Sequence, residues 1–157
     1  MSNAPYNPIS ICIDMDSLHK RTNITGEIWL EVAGFEFPEK HWNDFPVIIL
    51  GWWLDSIHLL WSGGAKSGTC LFMDGSYAYV ISKENDAFIL RCYSQTFPMK
   101  GIEWEGLVNL TSLLQQVLNA ASTILKECGK RGWKTTDTEG LESKWVYINS
   151  MMNPQSA

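Results

Sequence analysis

The sequence predicts an α+β fold: an antiparallel sheet of about five strands with two main helices packed on it. Three observations predict it. Several short segments alternate apolar and polar residues, the two-residue period of half-buried strands. Two longer segments space their apolar residues three and four apart, the helical period. The strand-like runs after residue 68 are joined by tight turns, which pairs neighbours antiparallel. The 157 residues suit one core. A single domain over 1–157 is therefore expected, ordered over 8–149, with 150–157 as a tail.

Residues 9–16 alternate, which predicts a strand with Ile9, Ile11, Ile13 and Met15 inward. Residues 16–25 are polar and read as a loop. Residues 27–32 alternate again, with Ile28, Leu30 and Val32 on one face and Glu27, Trp29 and Glu31 on the other. Residues 34–38 close this unit, since Pro38 has no N–H to give a central ladder. Residues 45–61 read as a helix. Asp44 or Asn43 caps it, Pro46 suits its first turn, and Val47, Leu50, Leu54, Ile57 and Trp61 form its apolar stripe. The opposite face, through Gly51, Trp52, Asp55, His58 and Leu59, is only half polar, so a second layer or a partner must cover it. The alternative is a short strand at 47–50 before a helix starting near Gly51.

Residues 62–68 form a loop, and strands follow near 69–73, 77–82 and 87–94. Asp74-Gly75 marks a tight hairpin between the first two, because Gly accepts the positive φ such a turn demands. Residues 83–86 make the second turn. Residues 97–106 read as irregular. A helix then spans about 107–128, with Leu107, Leu110, Leu114, Val117, Ala121, Ile124 and Cys128 in three-four spacing. Ser112 with Gln115 fits a capping box, which would start it later, and Gly129 fits its stop. Residues 130–140 read as loop, and 144–148 as a strand or a short helix.

Hydrophobic residues make up 45% of the chain and charged ones 18%, which excludes wholesale disorder. The net charge of −5 argues against direct nucleic-acid binding, which needs a basic surface. The longest apolar stretch, residues 45–54, is half of the about 20 residues a membrane span requires. The first eight residues carry no charged n-region or apolar h-region, so a cytoplasmic protein is expected. Cys12, Cys70, Cys92 and Cys128 show no paired spacing and read as free thiols.

Catalytic signals are sparse. An apolar strand ending in Asp14-Met-Asp16 resembles the nucleophile strand of haloacid-dehalogenase-type phosphatases, in which one carboxylate attacks phosphorus and the other moves a proton. Here Ser17-Leu18 follows where that family has Gly-Thr, and no later acidic pair is placed for magnesium. Asp55 and His58 share a helix face, but no nucleophile joins them. His19, His41 and His58 have no ligand spacing, so neither metal nor cofactor is expected. Lys66-Ser67 beside Gly63-Gly64 is not a phosphate-binding loop, because strand rather than helix follows.

Charge placement is more informative. Residues 22–60 hold Glu27, Glu31, Glu36, Glu39, Asp44 and Asp55 against Lys40 alone, so the whole net charge sits in one quarter of the chain. The same quarter holds Trp29, Trp42, Trp52 and Trp53. Acidic groups with aromatic anchors suit a protein-binding surface that faces a basic partner. The plainer reading makes these tryptophans core and the acids a solvated face.

Glu39-Lys-His-Trp-Asn-Asp-Phe-Pro-Val-Ile-Ile-Leu-Gly-Trp-Trp-Leu54, with Leu71-Phe-Met-Asp-Gly-Ser76 after it, resembles bacterial immunity proteins of contact-dependent growth inhibition and related polymorphic toxin systems. The likeness covers about 39–95, and more loosely Trp-Glu-Gly-Leu at 104–107. It implies a small acidic cytosolic protein that neutralises one cognate toxin domain, commonly a nuclease with a basic cleft, and it carries no catalytic residues. The expected function is therefore a non-enzymatic inhibitor, a monomer, that occludes a basic toxin surface. Glu31, Glu36, Asp44 and Asp55 would supply charge, and Trp42 and Trp52 anchors. A secretion chaperone is one alternative; a phosphatase-like enzyme using Asp14 and Asp16 is another.

Overall fold

Two four-stranded antiparallel sheets and three helices share one hydrophobic cluster. The computed structural model describes residues 6–154. The α+β class is as the sequence predicts, but there are two sheets rather than one of about five strands, and a third helix.

The first sheet is centred on β2 (Ile24–Val32). It pairs with β1 (Ile9–Lys20) on one side, and with β3 (Phe35–Phe37) and β4 (Asn43–Asp44) on the other. The alternation holds: Ile28, Leu30 and Val32 are buried, and Ile9, Ile11 and Ile13 oppose them. The expected loop at 16–25 is wrong. β1 continues to Lys20 across a register shift between Asp14 and His19, and Leu18 turns into the core. Polar residues carry the chain through this bulge. The Glu27 N–H donates to Ser17 Oγ (2.8 Å), and Ser17 Oγ donates to the Asp14 carbonyl (2.6 Å). Arg131, far along the chain, donates to the Leu18 and Met15 carbonyls (2.9 and 2.8 Å).

The second sheet is the meander β5 (Ser67–Leu71), β6 (Ala78–Glu84), β7 (Ala87–Gln95) and β8 (Lys100–Val108). The tight turn is not at Asp74-Gly75. There a six-residue loop, 72–77, separates the strands, although Gly75 does take φ +75°. The two-residue turn is Asn85-Asp86, with φ +51° and +67°, between the paired Glu84 and Ala87. Asn and Asp are the side chains that best tolerate this region after Gly. β8 replaces the irregular segment expected at 97–106. As an edge strand it is mostly exposed, so its sequence lacks an apolar alternation.

Helix α1 (Pro46–Trp61) has Pro46 in its first turn, but Phe45 is its N-cap and no side chain caps it, so the expected Asp44 or Asn43 cap is absent. It is buried along most of its circumference because strands, α2 (Leu110–Lys130) and α3 (Thr136–Met152) all pack on it. The second layer expected over its half-polar face is α3. Asn109 caps α2 by accepting from the Ser112 N–H (2.9 Å), in place of a Ser112–Gln115 box. α2 runs past Gly129, and Gly132 takes the positive φ just after it. α3 occupies segments read as loop, undecided and tail. Thr135 and Thr138 form its capping box. Only Thr138, Leu141 and Ile148 are buried along it, too few to give a periodic signal. Of the expected tail, 150–152 are helical and 155–157 lie outside the described residues, as do residues 1–5 of the segment read for a leader. No described helix is long and apolar enough to cross a membrane.

Candidate interaction face

The residues that alternate with the core positions of the first sheet form its outer face. The β1–β2 register sets Ser10 against Glu31, Cys12 against Trp29 and Asp14 against Glu27. The β2–β3 register then sets Glu31 against Glu36. Four carboxylates thus surround Trp29 as two like-charged cross-strand pairs. Such pairs are destabilising when nothing positive lies between them. The Cys12 thiol registers the field: burial first, then Glu31 and Glu36, push it above its ordinary value, and Lys40 works the other way.

His41 sits over one end of this face. Its Nδ1 lies 2.7 Å from Glu27 Oε1, and its ring meets the Trp29 ring at 5.2 Å. His41 is 56% exposed at the side chain, whereas Trp29 is only 7% exposed. The Trp29 indole N–H has no acceptor among the described residues.

Of the six residues expected to contact a partner, Glu31 and Glu36 meet on this face and the other four do not. Asp44 is fully buried, so the expectation that it offers charge to a partner is corrected. Its Oδ1 accepts from the Phe45 and Met73 N–H groups (2.7 and 3.2 Å), and its Oδ2 from the Trp42 indole and the Asp74 N–H (2.9 and 3.1 Å). It ties the entry of α1 to the 72–77 loop. Trp42 belongs to this structure too, half-buried with its ring edge-on to Tyr77 at 5.2 Å. Trp52 is 38% exposed and Asp55 is exposed, both on the flank of α1, where Asp55 takes the Lys144 ammonium of α3 at 2.7 Å. His58 stacks with Trp61 and meets Tyr147 edge-on rather than pairing with Asp55. Trp53 is core, and its indole donates to the Leu71 carbonyl (2.7 Å).

Sequence reasoning grouped Asp14 with Asp16 and missed its partnership with Glu27 and His41. That partnership needs the strand register and the 38–42 loop, which no spacing encodes. Asp14 lies in an antiparallel sheet, unlike the parallel sheet of the phosphatases its strand resembles. All four cysteines are free thiols, and burial pushes Cys70 and Cys92 far up. No family model, curated protein or solved structure matches this chain.

Proposed function

We propose that this protein is an immunity protein that binds and neutralises a cognate toxin domain in the cytosol, and that the outer face of the first sheet is its docking surface. The observation that carries this reading is the opposition of Glu31 to Glu36 beside Trp29, with no ion pair to either among the described residues. A fold that placed these acids for its own stability would pair them with cations. Left opposed, they suit a partner that brings lysines and arginines, and the partner's charge would relieve their repulsion. A toxin whose cleft holds nucleic acid offers such a surface. No chemical step is required of this chain; it acts by occlusion.

The test uses the C-terminal domain of a toxin encoded directly upstream of this chain's reading frame. Co-production should abolish its toxicity. Glu31→Lys and Glu36→Lys should slow association, and raised salt should slow the wild type in the same way. Glu139→Lys and Glu142→Lys, on α3, serve as controls. If Trp52→Ala accelerates dissociation while the two reversals change nothing, the contact lies on the flank of α1. There Trp52 and the 51% exposed Leu59 stand out from the surface. Failure to neutralise any neighbouring toxin overturns the immunity reading itself.

A further inference from the structure

We propose that Asp14, Glu27 and His41 form a binding site for one divalent transition cation of the zinc class. The three side chains come from β1, β2 and the loop before β4, and each offers one ligand atom. Those atoms all lie within 4.8 Å of one another. In a tetrahedral zinc site, with bonds of about 2.0–2.2 Å, ligand atoms stand about 3.3 Å apart. The site therefore needs closure by rotation of side chains, not by movement of backbone. His41 has room on its solvent side for that rotation, its side chain being 56% exposed. Its Nδ1 now sits 2.7 Å from Glu27 Oε1, and a cation between them would need only a small opening of that contact.

Charge and donor type select the cation. Asp14 and Glu27 are directly opposed across two strands, so a single proton on His41 offsets one carboxylate and leaves the other. A divalent ion offsets both. An imidazole nitrogen with two carboxylate oxygens suits zinc or its transition-metal neighbours, whereas calcium and magnesium prefer all-oxygen shells. The site is also held from behind. The Asp16 N–H donates to Asp14 Oδ1 at 3.0 Å, fixing that carboxylate, and the Trp29 ring lies against His41. Such outer contacts orient ligands in metal sites. Three ligands at positions 14, 27 and 41 leave no short spacing in the sequence, which is why the histidines alone gave no sign of it.

The experiment titrates the intact, metal-stripped protein with zinc alone in a calorimeter, and with cobalt followed by its visible absorption. One equivalent should bind, the melting temperature should rise with zinc concentration, and cobalt should develop the intense bands of a low-coordinate site. His41→Ala and Asp14→Asn, both near the surface and checked for native circular dichroism, should each weaken binding by more than about tenfold. His19→Ala and Glu31→Gln should leave it intact. Absence of saturable binding at one equivalent overturns the proposal. So does binding that survives His41→Ala, or that falls equally in Glu31→Gln, because the acidic face alone would then explain it. No toxin enters the titration, so its failure is separate from failure of the docking reading.

Discussion

Asp44 and Glu31 lie thirteen residues apart in the same acidic quarter of the chain, in opposite physical situations. Asp44 is sealed from water and accepts four N–H donors, three from backbone and one from Trp42. Its charge is consumed inside the molecule, holding the 72–77 loop against the start of α1. Glu31 faces Glu36 across a strand pair and makes no ion pair among the described residues. Its charge is kept on the surface at some cost in stability. The sequence presents both as acids near tryptophans. What separates them is where the hydrogen-bond donors lie, and a net-charge count carries none of that.

The sharpest way to break the contrast is Asp44→Ala. It removes the shared acceptor of four part-buried N–H groups at once, so a loss of roughly 3–5 kcal/mol is expected from the urea midpoint. A loss under about 1 kcal/mol would mean that the loop does not depend on the carboxylate. Gly75→Val probes the other end of the same assembly. A Cβ there lies 3.3 Å from the Trp42 ring at φ +75°, so a loss of about 1–3 kcal/mol should follow. Gly75→Asn should cost less, because Asn tolerates that region. The smallest effect has the opposite sign. Glu36→Gln removes one of two opposed carboxylates and should stabilise the protein by about 0.2–1 kcal/mol at low salt, shrinking as salt is added.

The same Glu36→Gln variant has a second readout at Cys12. Nearby carboxylates disfavour the thiolate and so raise the thiol. Removing one brings it down, and at a fixed pH below that value more thiolate is present. Alkylation of Cys12 should therefore quicken by about twofold, while the buried Cys70 and Cys92 stay inert.

Legibility in the sequence followed burial. Strands with one face in the core, such as β2, and the heavily buried stripe of α2 stand out by period. β8 and α3 do not, since each gives few side chains to the core and its pattern is set by solvent. The 16–20 stretch was hidden for another reason. Between Asp14 and His19 the ladder is interrupted and Ser17 and Arg131 take backbone groups there, so polar residues occur where a strand would show alternation, before pairing resumes at His19 and Lys20. The acidic character of the candidate face is legible in the sequence, whereas the membership of Asp14 and His41 is not. Charge density alone points to Glu31 and Glu36. Glu27 shares a face with Trp29 and Glu31 by alternation, Asp14 joins only through strand register and His41 only through the 38–42 loop, and Asp44 leaves the set because backbone N–H groups of a distant loop claim it.

The guanidinium of Arg131 also joins two stretches that are 113 residues apart in the chain at its Leu18 contact. It stands on Glu127 one turn below in α2, lies over the Trp133 ring and reaches two carbonyls that the bulge in β1 leaves exposed. The bulge and the arginine therefore form one structural unit. A lineage that lost the arginine would be pressed to straighten the strand, which would turn Leu18 outward and shift every residue beyond it to the opposite face. A lineage that straightened the strand first would leave the half-buried Arg131 with only the Glu127 carboxylate and the Trp133 ring. Neither position is free to drift alone, so substitutions at 15–18 and at 131 should arise together.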